Sequence, residues 1–540
     1  MVPNQNIDAK HNARLAALAS LGMIVFSCCE GGSDFAPTDP TNAVTPEGPV
    51  RGVASPQSDS VVVFKGIPYA APPVGSLRWK PPQAPLVRAA PLRADTFAAS
   101  CEVNEDCLYL DIWRPRKLPN NAPVPVLVWI HGGGLSSGAS FQFDGSALAS
   151  ENSLVVVSIN YRLSGAGFFA HPALTAEGAG SSGNYGLLDQ QAAMRWVRSN
   201  IGQFGGNAKN VTVMGQSAGA LSVLTQLASP QAAGLFDKAV AASGGYIRAQ
   251  PTLAAAEQIG MMNAATLGCP GIDAATAACL RSLPYAITRS GLTGVAHNSW
   301  APVIDNKILK ESTASAFASG RFNKVPIIIG SNRDEFSLLA SVSGPLTAET
   351  YASQVVSSAP DSGVTAAQIS LEYPVADFPE PTHAYTRAMG DYRFVCGMVA
   401  DANNMARNLK NVWAFELAQD NAAIYTTADR TARFPPDAAP AYFGDWGSYH
   451  TADVPYWFSQ FLAADLTTTN QALSAMMRAY LSNFARTGDP NGIGLPIWTS
   501  VAASGGKTLG LASKPIPNRD SSKLHHCEFW ATKAPSDRLF

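Results

Sequence analysis

Three short stretches hold side chains that could act together on a carbonyl group. The first is Gly215-Gln216-Ser217-Ala218-Gly219, where an apolar run breaks at a serine flanked by small residues and resumes with helix formers. A Gly on each side lets a strand turn sharply into a helix and leaves Ser217 at the apex. There its hydroxyl stands beside free N–H groups that favour developing negative charge. The second is His131-Gly132-Gly133-Gly134. A run of Gly lets backbone N–H groups face a site without obstruction, and with the N–H of Ala218 they could cradle an oxyanion. Removing one such donor commonly costs about 3 to 4 kcal/mol. The third is Ser331-Asn332-Arg333-Asp334-Glu335, with two adjacent carboxylates.

A serine nucleophile needs a base, and the base needs an acid to orient it. Asp334 and Glu335 are both candidate acids. The histidines after them are His383, in a Pro-rich stretch read as a turn, His450, in a Gly- and aromatic-rich loop, and His525 and His526 beside Cys527. Position favours His450 over His383. His131 precedes the serine and reads as structural.

These groups need rigid supports. Short Val/Ile-rich runs at 124–131, 153–161, 210–216, 325–332 and 411–417 fit strands buried on both faces. Between them, 186–204 and 217–229 show helical spacing, and 470–490 reads as a helix stopped by Gly488 and Pro490. Strands alternating with helices predict a mostly parallel sheet with helices on both sides, an α/β fold. Within it, strand–Gly-x-Ser-x-Gly–helix is the nucleophile elbow of α/β-hydrolases, whose triad runs Ser, then Asp or Glu, then His. The stretches 245–300 and 340–410 read as helical insertions that cap the sheet edge.

The chain has 540 residues, 46% of them hydrophobic, enough for a large core. Its 38 Lys and Arg against 40 Asp and Glu give a net charge of −2, so no basic field invites nucleic acid. No cofactor and no metal are expected. Residues 1–28 read as an export signal: Lys10 and Arg14 precede an apolar run of about a dozen residues, too short to span a bilayer. Val25-Phe26-Ser27-Cys28 loosely matches a lipoprotein box, so lipidation at Cys28 stands beside ordinary cleavage. Residues 29–48 read as a flexible tether and 49–540 as one catalytic domain. Export, to the periplasm or beyond, places the chain where disulfides persist. Six cysteines follow the signal, and an even count suggests three bridges whose connectivity spacing alone does not give. Local pairing would join Cys101 to Cys107 and Cys269 to Cys279, leaving Cys396 with Cys527.

The motifs taken together resemble the type-B carboxylesterase/lipase family, which includes the cholinesterases. "FKGIPYAAPPVGSLRWKPP", "EDCLYLDIWRP", "HGGG", "NYGLLDQQAAMRWVRSNIGQFGGN", "GQSAG", "APVIDNKIL" and "IIIGSNRDEF" occur in the family's order. The likeness runs from about Val50 to about Trp530. It implies an α/β-hydrolase fold and ester hydrolysis through an acyl-enzyme, with Ser217 as nucleophile, His450 as base and Glu335, rather than Asp334, as acid. It also implies an oxyanion hole at Gly133, Gly134 and Ala218, and the three bridges above. The chain departs from the family at Phe336, where Gly usually follows the acid, and after His450, where Thr-Ala-Asp replaces Gly-x-Glu. Cholinesterases have Glu where Gln216 stands, and a much longer loop between the cysteines corresponding to Cys101 and Cys107. Both differences argue against a cationic substrate. Overall, the chain is similar to bacterial family members that release a polycarboxylic acid from its esters. Such a substrate calls for basic residues near the site, with Arg333 and Arg433 as contributors. The rival expectations are a carboxylesterase for small esters and, from another class, a binding protein that keeps the fold without catalysis.

Overall fold

Alternation along each central strand builds a sheet with two buried faces. In the computed structural model, which describes residues 39–245, 250–292, 294, 300–340, 345–424, 446–461 and 465–533, Val126, Val128 and Ile130 join one core cluster. Their neighbours Leu127 and Trp129 join another. The same division recurs at Val155/Val156, Val213/Met214, Ala239/Val240, Ile327/Ile328 and Val412/Trp413. Successive side chains of a strand point to opposite faces, so a continuous apolar run has no face left for water. Each fully buried side chain of this size contributes about 1.5–3 kcal/mol.

The strands in chain order are β1 (Asn42–Thr45), β2 (Gly48–Arg51), β3 (Val53–Ser55), β4 (Ser58–Pro68), β5 (Leu92–Arg93), β6 (Tyr109–Pro115) and β7 (Val124–Ile130). They continue with β8 (Val155–Ile159), β9 (Gly206–Gln216), β10 (Lys238–Ala242), β11 (Ile327–Asn332), β12 (Val412–Leu417), β13 (Thr508–Leu511) and β14 (Ile516–Arg519). Strands β1, β2 and β5 form a small sheet; the other eleven form one sheet in the order β14-β13-β12-β11-β10-β9-β7-β8-β6-β4-β3. Neighbours from β8 to β13 pair in parallel, and the strands outside that block pair antiparallel. The strand order reverses at β7, which lies between β8 and β9. Ligands of open α/β sheets bind beyond the carboxyl ends of the strands at such a point. The elbow strand β9 and the glycine run after β7 both end there.

The five expected strand runs correspond to β7, β8, β9, β11 and β12. The helices follow at Tyr185–Asn200, continued by a 3₁₀ turn Ile201–Phe204, then Ala218–Ala228 and Thr468–Thr487. Gly488 closes the last of these with φ 82°, a left-handed cap that Gly adopts without steric cost. The two insertions are helical, and the helix Cys396–Ala406 of the second packs against the interior strands β11 and β12. Both insertions leave from interior strands, β10 and β11, whereas the edges are β3 and β14. Part of the second insertion builds its own cluster around Tyr351, Tyr373, Tyr385 and Trp530. His383 lies within the helix Pro381–Gly390 rather than in a turn; Pro381 occupies the first turn, where its missing N–H costs nothing.

The cysteines pair as Cys101–Cys107, Cys269–Cys279 and Cys396–Cys527. Among the described residues, no helix is long and apolar enough to cross a membrane. The expected signal 1–28 with Cys28, the first half of the tether, 29–38, and Arg433 lie outside the described residues; the second half is not a tether, because Asn42–Thr45 pairs with Gly48–Arg51 as β1 and β2, and Ala43 and Val50 are buried.

Candidate active site

Parallel register brings the ends of β7, β9, β10 and β11 to one edge. Ile130 pairs with Gly215, Gln216 with Ala242, and Ala242 with Gly330. Ser217 turns there with φ 56° and ψ −126°, a conformation sparsely populated for a residue with a side chain. Its N–H donates to Ala242 O at 2.9 Å, and its carbonyl accepts the first helical bond from Leu221 N at 2.9 Å. The flanking glycines are required by contact. A Cβ on Gly215 would lie 2.3 Å from Gly219 C, and one on Gly219 would lie 1.9 Å from Ile130 O.

The histidine arrives from a distant loop. His450 Nε2 stands 2.8 Å from Ser217 Oγ, and His450 Nδ1 stands 2.5 Å from Glu335 Oε2. Glu335 is wholly buried, while His450 and Ser217 are 7% and 8% exposed. The other Glu335 oxygen, Oε1, accepts the Asn332 N–H at 2.7 Å. The carboxylate thus spans strand β11 and the imidazole, and the three groups form one hydrogen-bonded chain. Phe394 packs against the His450 ring at 4.7 Å between centroids.

Asp334, next in sequence, points elsewhere. It accepts from Arg333 Nε at 2.8 Å, Arg387 Nη2 at 3.1 Å and Ser448 N at 2.9 Å. Its backbone also bridges to Tyr449. Asp334 therefore anchors the loop that carries His450, while Glu335 touches the imidazole itself. Arg333, expected near an anionic substrate, is engaged by Asp334 and by Asp420 at 2.7 Å. His525 and His526 belong to other networks: His525 pairs with Asp391 and Glu416, and His526 with Glu372.

The glycine run lies against the elbow. A Cβ on Gly132 would come within 2.8 Å of Gln216 O and 3.0 Å of Ser217 Cβ. Gly133 and Gly134 have φ of 105° and 64°. A Cβ on Gly133 would strike Ser137 O at 2.2 Å, whereas one on Gly134 would meet open space. His131 is buried, stacks on Tyr161 at 4.5 Å, and sits with Nδ1 2.8 Å from Gly132 O. Burial pushes its pKa down to about 4, so it remains neutral. It shapes the turn.

Motif reading missed a supporting layer. Asn332 Nδ2 donates to Tyr449 O at 2.8 Å and to Asp453 Oδ1 at 3.2 Å, and Trp457 Nε1 donates to Asp453 Oδ2 at 3.0 Å. Burial, with the nearby Glu335 charge, pushes the Asp453 carboxyl up to about 6. The signal available in sequence was Asp453 in place of the family's Glu, three residues after His450. Ser243 follows β10 with φ 60° and a buried hydroxyl, and nothing in its sequence marked it. Among the described residues, no group of three or more His, Cys, Asp or Glu is arranged to hold a metal ion.

Comparison with known proteins fits this geometry. A sequence model of the carboxylesterase family matches residues 39–530. The chain is 40% identical over 307 residues to fumonisin B1 esterase of Sphingopyxis macrogoltabida, an alignment covering 54% of this chain and 55% of that protein. It is 31% identical over 518 residues to an acylcarnitine hydrolase of Mus musculus, covering 88% of this chain and 87% of that one. It is also 31% identical over 561 residues to pyrethroid hydrolase Ces2e of Rattus norvegicus, covering 95% and 93%.

Proposed function

Because the chain belongs to the carboxylesterase family and is a serine carboxylic-ester hydrolase of the α/β-hydrolase fold, we propose that Ser217, His450 and Glu335 are its nucleophile, base and acid. The observation that carries this assignment is the unbroken chain Ser217 Oγ–His450 Nε2, His450 Nδ1–Glu335 Oε2. Ser217 Oγ attacks the ester carbonyl as His450 Nε2 takes its proton. Glu335 holds the Nδ1 proton in place and stabilises the imidazolium. The N–H groups of Gly133, Gly134 and Ala218 receive the oxyanion. The tetrahedral intermediate collapses, His450 returns the proton to the leaving alcohol, and Ser217 keeps the acyl group. Water, deprotonated by His450, then attacks the acyl-enzyme and releases the acid.

The substrate proposed is an ester whose acyl group carries free carboxylates, of the kind the name of the Sphingopyxis relative indicates: fumonisin B1, with tricarballylic acid as the released product. The identity to that relative supports this reading, as do the neutral Gln216 and the short Cys101–Cys107 loop, which offer little to a cationic substrate. The near full-length likeness to mammalian esterases supports a second reading, a carboxylesterase for small neutral esters. The test compares kcat/KM for a tricarballylate ester with that for a simple nitrophenyl ester. A preference for the tricarballylate ester of at least tenfold supports the first reading, and the opposite preference the second.

Export to the periplasm, with residues 1–28 removed and one catalytic domain that takes in β1 and so begins earlier than residue 49, completes the proposal. Three disulfides suit an oxidising compartment. N-terminal sequencing of the mature protein tests the cleavage and shows whether Cys28 is retained and lipidated.

A further inference from the structure

One helical run passes the acid and the base together. It comprises the helix Pro381–Gly390, a π-turn Asp391–Val395 and the helix Cys396–Ala406. Gly390 lies against the acid: a Cβ there would stand 3.4 Å from Phe336 N and 3.6 Å from Glu335 Cβ. Phe394, buried in the π-turn, lays its ring beside the His450 imidazole with 43° between the two planes. The same turn is tied to the segment 525–527. Asp391 accepts a hydrogen bond from His525 Nδ1 at 2.5 Å, and Cys396 is bonded to Cys527. Residues five apart point about 140° away from each other on an α-helix, which would part Asp391 from Cys396. The π-turn brings them together through an i→i+5 bond from Cys396 N–H to Asp391 O. Single turns of this kind inside α-helices occur frequently at functional sites.

From this arrangement we infer that Phe394 is a positioning residue: held on a π-turn that is fixed to the segment 525–527, its ring keeps the His450 imidazole aimed through both steps of the reaction. The inference rests on the reading of His450 as the base. Before reaction the imidazole has two hydrogen-bond partners, Ser217 Oγ at 2.8 Å and Glu335 Oε2 at 2.5 Å. Acylation takes the proton from the Ser217 hydroxyl, so the first bond is absent from the acyl-enzyme. Of the two, the Glu335 bond then remains, and the Phe394 contact limits the swing of the ring about it. Nε2 must still point at the water that it deprotonates, and a misplacement of about 1 Å can cost about 10²-fold in rate. Phe394 therefore matters more to deacylation than to acylation.

The experiment follows hydrolysis of nitrophenyl acetate by rapid quench and mass spectrometry. The appearance and decay of the acylated Ser217 peptide give the acylation and deacylation rate constants. Wild-type protein, Phe394→Ala, Phe394→Val and Phe394→Leu are compared by the ratio of the first constant to the second. An unfolded fraction takes part in neither step and leaves the ratio unchanged, so a merely structural role does not move it. The expected ratio rises by about tenfold or more in Phe394→Ala, by less in Phe394→Val, and by about threefold or less in Phe394→Leu, which keeps a bulky side chain against the imidazole. If Phe394→Ala fails to fold, Phe394→Val and Phe394→Leu carry the comparison, with Val expected above Leu. A ratio that stays at the wild-type value or falls in the folded variants overturns the positioning role and leaves the triad reading standing. His450→Ala is the control: acylation at the wild-type rate in that variant overturns the reading of His450 as the base, and the inference with it.

Discussion

Replacing each of the two adjacent acids separates catalysis from support. Glu335 offers one oxygen to His450 Nδ1 at 2.5 Å and the other to Asn332 N at 2.7 Å, both wholly buried. In Glu335→Gln only one acceptor oxygen remains for these two donors. Either the imidazole loses the partner that fixes its tautomer, or the strand N–H is stranded against an NH₂ group. The negative charge facing the imidazolium is lost in both cases. A comparable change in serine proteases costs about 10⁴ in kcat, and at about 1.36 kcal/mol per tenfold this is about 5.4 kcal/mol of barrier. Asp334→Asn leaves one acceptor oxygen for Arg333 Nε, Arg387 Nη2 and Ser448 N and removes the charge facing the two guanidinium groups, but leaves His450 its acid. The Asp334 side chain is 20% exposed, so solvent offsets part of the loss. The expected cost is about 1–3 kcal/mol of stability, with kcat within tenfold of wild type. Both variants would be assayed on a nitrophenyl ester with folded fraction checked by thermal unfolding. A larger kcat loss in Asp334→Asn than in Glu335→Gln, at equal folded fraction, refutes the division of roles.

His525 lies between Asp391 and Glu416, whose charges outweigh the effect of burial and lift its pKa to about 9, while burial of Glu416 is outweighed by His525 and Arg519, which hold it at about 2. Stability from His525 is therefore full below about pH 6.5 and lost as pH rises through 9; stability from Glu416 is full above about 4.5 and lost as pH falls through 2. In His525→Gln, the Tm deficit against wild type should shrink between pH 7 and 9.5, and an unchanged deficit would contradict the charged histidine. The Cys396–Cys527 bridge spans 131 residues, so replacing both cysteines with Ala should lower stability by at most about 5 kcal/mol on the chain-entropy model, read as a fall in Tm. Gly219→Ala drives a methyl into Ile130 O and should abolish activity and lower Tm together; a variant with wild-type kcat would show that the elbow tolerates a displaced helix.

Some of this was legible because local chemistry determined it. The apolar runs of β7, β8, β9, β11 and β12 need no partner to be read, since strands buried on both faces carry no polar alternation. The antiparallel strands β4, β6 and β14 and the short parallel strand β13 went unread; exposed and partly exposed positions interrupt β4 and β14 in particular. Ser217 announced itself through its glycines, which are needed because a Cβ at Gly215 or Gly219 would stand 2.3 Å or 1.9 Å from a neighbouring backbone atom. The choice between Asp334 and Glu335 was not legible locally. It depends on His450 crossing 115 residues of sequence to reach one of them, and only resemblance pointed to Glu335. Asn332 and Asp453 escaped for the same reason: their partners are distant in the chain.

Covalent labelling tests the central assignment most directly. A fluorophosphonate reacts with a serine that a neighbouring base has activated, and the adduct survives digestion. Mass spectrometry of the labelled protein should place one adduct per chain on the peptide containing Ser217. The adduct should vanish in Ser217→Ala and form at least a hundredfold more slowly in His450→Ala. An adduct on another serine, or labelling of Ser217 that is indifferent to the loss of His450, would contradict the account.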